Sequence, residues 1–408
     1  MPERGNAADR RGARGDGVRI LLLAPHPFFQ ARGTPIAVRT VLEFLSTRGH
    51  RVDVLTFPEG EDLDLPNCHF YRVRRLPRIR NVRPGFSLKK VAYDFLLLTE
   101  SLRMIRRHRY DAIHAVEEAA FIAAMLRKVS GIPYVYDMDS SLPEQMVERF
   151  PGMRFVFGAL RAMEGMAVKQ SLGVLTVCSS LEDVVRHHDP RKVVGRVEDT
   201  SLLAPSTANG RNTRSLPATQ QGPVAMYVGN LEPYQGIDLL LHGFRHTLER
   251  VPNAQLVIVG GRPDDIEMYR ELSDRLGILH SAEFLGPRPL TLLPGLLSQA
   301  EVLVSPRVKG TNTPMKIYSY LDSGTPVLAT RLRTHTQILD EGTAFLVEPD
   351  PASLGRGLAR LLRDRPLRLL LARNAKAYVQ REFTPQAAQR KLEAFYSAIE
   401  ARVAERSA

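Results

Sequence analysis

The segment EVLVSPRVKGTNTPMKIYSYLDSGTPVLAT, residues 301–330, reads as one strand–helix–strand unit. EVLVSP and PVLAT are short apolar runs, and the stretch between them is helical from Pro314. Strands this short and this continuously apolar are buried on both faces, the signature of a parallel sheet covered by helices. Parallel strands cannot be joined by a tight turn, so the intervening helix is the required crossover.

The pattern repeats on both sides. Upstream lie VAMYVG (224–229), a helix from Ile237, AQLVIVGG (254–261), a helix near 265–276 and AEFLG (282–286). Downstream come AFLVEP (344–349) and two or three closing helices, the last over roughly 385–405. The first half alternates likewise. Its strands are RILLLA (19–24), RVDVLTF (51–57), CHFYRV (68–73), DAIHAV (111–116), PYVYDM (133–138) and GVLTVC (173–178). Helices are expected over Pro35–Arg48, Ser87–Arg107, 117–129 and 143–170. Residues 204–223, APSTANGRNTRSLPATQQGP, interrupt the alternation with linker chemistry. The expected organisation is a disordered tail over 1–17, an α/β domain over 18–203, the linker, and a second α/β domain over 224–384. A C-terminal helix over 385–408 is expected to pack back on the first domain. Two such domains place a cleft between them, and ligands of open parallel sheets bind beyond the carboxyl ends of the strands.

Composition excludes several classes. At 408 residues the chain holds two or three domains. Its longest uninterrupted apolar run is AAFIAAML (119–126), short of the ~18–20 residues a membrane span needs. The first residues contain arginine but no apolar stretch, which argues against a secretory signal. Cys68 and Cys178 are too few and too far apart for a disulfide framework or a CxxC metal site, so a reducing cytoplasm is expected.

The net charge of +12 is concentrated. Between Tyr71 and Arg109, twelve Lys/Arg face Asp94 and Glu100, a local excess of +10. Such a field attracts an anionic partner, whether lipid headgroup, diphosphate or nucleic acid. Arginine-rich solvated surface is the alternative. Nucleic acid is disfavoured because the segment interleaves few aromatics and carries no RNA-binding signature.

A nicotinamide-binding Rossmann domain requires G-x-G-x-x-G after its first strand, and neither APHPFFQARGTPI nor NLEPYQGI supplies it. Walker A, HExxH and GxSxG are missing too. What remains is a shared loop design. Gly33-Thr34-Pro35 follows the first strand, and Asn312-Thr313-Pro314 follows EVLVSP. In each, Thr is expected to cap a helix with Pro at its first position. Helix-start amides suit phosphate oxygens, and Arg307, Lys309 and Lys316 add cations to the second loop. A well-made helix start without ligand is the bland alternative for either loop alone.

Residues 305–330 resemble the signature of group-4 retaining glycosyltransferases of the GT-B fold, in the variant where Pro-Leu-Lys-x-Phe-Glu-Tyr-Met leads into Gly-x-Pro-Val. YVGNLEPYQGIDLLLHGF (227–244) is similar to that family's Val-Gly-Arg-Leu…Lys-Gly segment, and VIVGGRPD and AEFLGPRP hold the next places. The resemblance spans about residues 18–400. It implies two facing Rossmann-like domains with an interdomain cleft, a nucleotide-diphosphate-sugar donor on the second, an acceptor on the first, and no metal or other cofactor. Donor contacts fall on Gly33, Thr34, Gly229, Asn230, Gln235, Gly236, Gly261, Arg288, Arg307, Thr311, Asn312, Thr313, Lys316 and Ser319.

The chain departs from the family at charged positions. The E-x7-E pair becomes Thr311 and Ser319, the diphosphate-binding Arg and Lys become Asn230 and Gln235, and a cleft His becomes Asp139. Asp137-Met138-Asp139 imitates a metal-binding DxD, but that motif belongs to a different glycosyltransferase fold. Asp139, with His114 and Glu117, is assigned to the acceptor side, and Asp139 and Lys316 are the candidate catalytic residues. His114 can equally be a hydrogen-bonded structural residue. The expected activity is a metal-independent sugar transfer in glycolipid or surface-polysaccharide synthesis, cytoplasmic and peripheral at the inner face of the membrane. The rivals are a non-catalytic sugar-nucleotide-binding or scaffold protein and an epimerase or hydrolase of the same fold. The basic stretch is expected to give reversible, salt-sensitive attachment to an anionic membrane, with the apolar face of the helix after it serving as core.

Overall fold

The computed structural model describes residues 17–29, 33–77, 88–149, 151–203 and 222–407. The chain divides into two compact units, one made of residues up to Val177 with Leu181–Val197 and Gln389–Ala408, the other of Cys178–Ser180 and Glu198–Ala388. Residues 1–16 of the expected tail (1–17) and 204–221 of the expected linker (204–223) lie outside the described residues.

In the first unit the order is β1 (Arg19–Ala24), α1 (Gly33–Thr47), β2 (Arg51–Thr56), β3 (Cys68–Arg72), α2 (Leu88–Arg107), β4 (Ala112–Val116), α3 (Ala119–Ser130), β5 (Tyr134–Met138), α4 (Leu142–Arg149), α5 (Phe157–Gln170), β6 (Gly173–Thr176), α6 (Ser179–His188) and β7 (Val193–Arg196). The seven strands are parallel in the order β3-β2-β1-β4-β5-β6-β7. Leu22 of β1 pairs with Val54 on one side and His114 on the other. Strand order reverses between β1 and β4. Right-handed crossovers therefore place α1 on one face and α2, α3 and α5 on the other.

The second unit continues β8 (Val224–Val228), α7 (Ile237–Leu248), β9 (Gln255–Val259), α8 (Pro263–Arg275), β10 (Ala282–Gly286), α9 (Leu293–Leu297), β11 (Val302–Ser305), α10 (Lys316–Asp322), β12 (Val327–Thr330), α11 (Arg333–Thr336), β13 (Phe345–Val347), α12 (Pro351–Arg363) and α13 (Arg365–Glu382), after which comes α14 (Pro385–Ser407). Its six parallel strands run β10-β9-β8-β11-β12-β13. Both sheets are thus doubly wound, with the order reversal at β1/β4 and β8/β11.

Each sheet is packed on both faces. Ile258, Val304 and Leu328 join Phe244 and Leu358 on one side of the second sheet, and Val257, Leu303 and Ala329 join Ile317 and Leu321 on the other. Burying one such side chain contributes about 1.5–3 kcal/mol. Leu392, Phe395, Tyr396 and Ile399 of α14 join α1 on the β1 side of the first sheet. A Cβ on Gly195 of β7 would lie 2.8 Å from the Phe395 ring, so the bare strand makes room for that helix.

The elements differ from expectation in three places. The helix expected over 143–170 is broken by a 3₁₀ turn at Pro151–Val156, because Pro151 cannot donate a helical hydrogen bond and Gly152 weakens the helix further. The α6 and β7 elements, not read from the sequence, follow GVLTVC. Finally, α1 begins at Gly33 and α10 at Lys316, whereas both were expected to open at a proline.

Candidate functional site

At the carboxyl end of the second sheet, the chain leaving β8 turns at Gly229 and Gly236. Gly236 has φ +76°, and a Cβ there would stand 2.0 Å from the Pro306 carbonyl oxygen. Glycine lets the start of α7 lie against the end of β11, with the free amides of its first turn at the strand ends. The Tyr227 hydroxyl donates to the Asn230 carbonyl at 2.5 Å and fixes the same loop.

Lys316 opens α10. Its Nζ donates to Gln235 Oε1 at 3.0 Å and lies 3.9 Å from the centre of the Tyr227 ring. Burial of the amine pushes its pKa well below the ordinary lysine value, and the Arg307 charge acts in the same direction. A Cβ on Gly229 would come within 3.2 Å of that Nζ. The result is a buried amine faced by a neutral amide, at the strand ends where an open α/β sheet binds its ligand.

Arg307 serves the loop before α10. Its Nη1 donates to the Asn312 carbonyl at 2.6 Å and to Thr334 Oγ1 at 2.8 Å, and its guanidinium lies 5.0 Å from the Tyr234 ring centre. Thr334 also donates to the Asn312 carbonyl, at 2.5 Å. Beneath this loop His335 is fully buried, with Nδ1 donating to the Thr330 carbonyl at 2.8 Å and Nε2 accepting from Ser305 Oγ at 2.9 Å. Burial brings its pKa down to about 3, so it is a neutral brace. Tyr227, Tyr234, Thr334 and His335 were missed in the sequence because no motif singles out an aromatic or hydroxyl that supports a loop.

The remaining donor candidates separate. Ser319 Oγ accepts the Leu202 amide at 3.0 Å, so this position is engaged by the main chain. Thr311 is exposed, and its carbonyl accepts from Gln337 Nε2 at 2.9 Å. Thr313 is buried and does not cap α10, whose preceding residue Met315 makes no side-chain cap either. The capping expected from Thr-Pro therefore fails here, because the helix starts two residues after Pro314. Thr34 likewise lies inside the first turn of α1, not ahead of it. Gly261 packs on Leu231, whose Cδ1 would be 2.4 Å from an added Cβ. Arg288 and Asn230 are exposed.

In the first unit, the acceptor-side candidates lie in the middle of β4 (His114) and just past the ends of β4 (Glu117) and β5 (Asp139). His114 is buried with both nitrogens engaged: Nε2 meets Asp137 Oδ2 at 2.9 Å and Nδ1 accepts the Tyr396 hydroxyl at 2.7 Å. Both contacts are those that the reading of His114 as a hydrogen-bonded structural residue expects. Asp137 is committed to it, which separates Asp137 from Asp139, the buried residue just past β5. Glu117 follows β4 with φ +52°, held by its amide to the Asp137 carbonyl at 2.8 Å and by Ser140 Oγ, which donates to Oε2 at 2.6 Å. Burial raises its carboxyl pKa, and the nearby Glu118 charge adds to the rise. Glu118 pairs with Lys90 at 2.5 Å. Among the described residues no group of three or more His, Cys, Asp or Glu could hold a metal ion.

Residues 31–194 match the family model Glycosyltransferase Family 4, and residues 222–364 match Glycosyl transferases group 1. A D-inositol 3-phosphate glycosyltransferase of Corynebacterium diphtheriae is 30% identical over 305 residues, 71% of this chain and 70% of that protein. Sucrose-phosphate synthase from Thermosynechococcus elongatus superposes with a TM-score of 0.77 at 22% identity, covering 94% of this chain and 100% of the other. Anabaena HepE, solved in complex with UDP-glucose, gives 0.68 at 16% identity, over 93% and 100% of the two chains. With its two doubly wound Rossmann-like units, the chain has the GT-B fold and belongs to the family 4 glycosyltransferases.

Proposed function

We propose that this enzyme transfers a sugar, with retention of anomeric configuration, from a nucleotide-diphosphate donor to a phosphate- or lipid-linked intermediate of glycolipid or surface-polysaccharide synthesis. One observation carries the reading. The Lys316 amine sits at the strand ends of the second unit, beside Gly229, with Gln235, two residues before α7, as its neutral partner and the Arg307 charge nearby. A diphosphate supplies the negative charge that such an amine lacks, and preorganised cations and amides stabilise the charge that develops as the diphosphate leaves. No residue in the arrangement calls for a metal. Lys316 and the amides carry the electrostatic load of the leaving diphosphate, which accepts the acceptor's proton. Glu117 and Asp139 are the acceptor-side groups.

The solved complex of HepE with UDP-glucose supports the donor class, and the name of the corynebacterial relative supports a phosphorylated acceptor. The excess of Lys/Arg over 71–109 favours an acceptor at an anionic surface. The test is calorimetry with UDP and UDP-glucose on the purified chain, then turnover in EDTA with the product's anomeric proton read by NMR. Retention with undiminished turnover in EDTA is expected. Loss of turnover restored by Mn²⁺, or an inverted product, sinks the mechanism.

A further inference from the structure

In the second unit α12 packs along α7. Two bare backbones set the distance: a Cβ on Gly355 would stand 2.6 Å from the Gly243 carbonyl oxygen, and one on Gly243 would stand 2.5 Å from Leu354 Cδ2. Leu354, Leu358, Leu361 and Leu362 of α12 turn into the core. The opposite side carries Arg356, Arg360 and Arg363, exposed and at the spacing that puts three residues on one helical face. Arg250, just past the end of α7, joins them, and the four arginines line a cavity of about 500 Å³ with Asp364 at its edge.

The negative charges near this cavity are already engaged. Asp364 Oδ1 accepts the Leu367 amide at 3.0 Å and caps α13, while Asp350 Oδ1 accepts the Ser353 amide at 2.8 Å and caps α12. Glu249 stands 3.6 Å from Arg250 and is shared with His246. Among the described residues, Arg356, Arg360 and Arg363 form no ion pair. Arg356 donates to Ser353 Oγ at 3.0 Å, and the Arg360 guanidinium lies 5.6 Å from the Phe345 ring centre. Like charges three and four residues apart on a helix repel one another, and α12 has no acid within its length to offset them.

Basic residues are also favoured at the carboxyl ends of helices, where they meet free carbonyls. Here that role is filled by another side chain. Arg368 Nη1 donates to the Leu361 and Leu362 carbonyls at 2.7 and 2.8 Å. Arg360 and Arg363 are left to face the cavity.

The cavity is separate from the Lys316 site. The helix α7 begins one residue after Gly236 and rises about 18 Å before the chain reaches Arg250. A crossover helix runs back against its strands, so this end of α7 lies at the amino-terminal edge of the sheet, away from the strand ends that hold Lys316.

We infer that the arginine cavity between the ends of α7 and α12 binds a compact soluble ligand carrying two or more phosphate groups. Guanidinium forks match phosphate oxygens two at a time. The row from Arg356 to Arg363 rises about 10 Å, more than one phosphate can engage along its whole length. The volume is that of a small-molecule site. Nucleic acid would find no aromatic side chain in the lining on which to stack a base. A bilayer presents headgroups as a plane and not as a body that fills a cavity.

The experiment is titration calorimetry of the full chain, saturated with UDP, at physiological salt. The probes are tripolyphosphate, orthophosphate and citrate. One tripolyphosphate per chain is expected, with orthophosphate and citrate at least about tenfold weaker. Arg356→Gln/Arg363→Gln is expected to lose tenfold or more in tripolyphosphate affinity, on the order of one charge-assisted contact or more. Its UDP affinity should stay native and its unliganded thermal midpoint should be native or higher, since repulsion is relieved. Arg275→Gln/Arg381→Gln removes the same charge from exposed positions of α8 and α13 and should bind tripolyphosphate like the native chain. If the cavity double variant melts early, Arg363→Gln alone carries the comparison.

An equal loss in the Arg275/Arg381 control reduces the effect to diffuse charge and overturns the proposal. Loss of tripolyphosphate binding in Lys316→Met overturns it too, by placing the anion at the other site. Citrate or orthophosphate binding as tightly as tripolyphosphate refutes the class of ligand. Capture by phosphatidylglycerol vesicles or a DNA oligonucleotide that the cavity variant alone loses refutes a soluble small molecule. Absent UDP binding with tripolyphosphate binding intact would count against the donor site and leave this cavity standing.

Discussion

Lys316 Nζ meets Gln235 Oε1 at 3.0 Å directly above the ring of Tyr227. The amide oxygen and ring face are weak compensation for a buried ammonium, and burial accordingly lowers the pKa of this lysine. A base with a lowered folded-state pKa releases its proton on folding. The penalty is therefore fully present below the folded value and disappears as pH rises toward the unfolded one. Lys316→Met keeps the length of the side chain and removes the charge. Its thermal midpoint near neutral pH should match or exceed that of the native chain, while UDP affinity falls roughly tenfold to a hundredfold, the value of a charge-assisted contact of about 1.5–3 kcal/mol. Scanning calorimetry and titration calorimetry read the two effects separately. Unchanged UDP affinity would place the phosphate elsewhere.

Gln235→Lys provides the converse. It puts a second ammonium within hydrogen-bond range of the first, with Arg307 already contributing positive charge. The unliganded protein should melt earlier than the native chain, most clearly at low salt. UDP should then raise the midpoint by more than it does in the native chain, because the ligand neutralises two amines. A ligand-induced shift smaller than native would mean that Gln235 does not face the anion.

The loop before α10 depends on hydrogen-bond geometry more than on charge. Arg307 and Thr334 converge on the Asn312 carbonyl, and Arg307 donates to Thr334 as well. Thr334→Val removes the hydroxyl and leaves every charge in place. It should cost about 1–3 kcal/mol of stability by leaving buried partners unsatisfied. It should also raise KM for the donor more than it lowers kcat, since the loop positions the ground state. Arg307→Lys should behave the same way, because one ammonium cannot reproduce the fork of a guanidinium. A large kcat loss with normal KM would instead place Arg307 at the reacting centre.

The sequence made the sheets legible because parallel strands announce themselves as short apolar runs. RILLLA, PYVYDM, AQLVIVGG and EVLVSP all became central strands. Lys316 was singled out through its neighbours in the 305–330 motif. What was not legible was the direction of side chains. His114 sits in the middle of β4 and points to Asp137 and Tyr396, a contact made across 282 residues of chain that no local pattern encodes. Arg307 was expected to hold an anion, and its bracing of a loop through a carbonyl and a threonine was not legible. The wide apolar stripe of α2 showed which residues are hydrophobic, and only packing decides which of them the sheet covers.

A final prediction concerns pH. Glu164 of α5 is buried, its Oε1 meets His188 Nε2 at 3.1 Å, and burial raises its pKa from the ordinary 4.5 to about 7. The Ser141 hydroxyl and the Leu142 amide donate to it, the Arg161 charge opposes the rise, and the Glu144 charge adds to it. The folded chain therefore holds this proton more tightly than the unfolded chain. That contribution to stability is complete below about pH 4.5 and is lost as pH climbs through about 7, with a slope of at most about 1.4 kcal/mol per pH unit. His188 acts oppositely, because burial lowers its pKa and stability from that source rises as pH approaches its unfolded value of 6.5. Glu164→Gln keeps the hydrogen bonds and removes the titration, isolating the histidine. Between about pH 5 and 7.5 the melting temperature of the first unit should decline in the native chain relative to Glu164→Gln, and the variant should be flat or rise slightly. Parallel curves for the two proteins would show that Glu164 is already ionised in the fold.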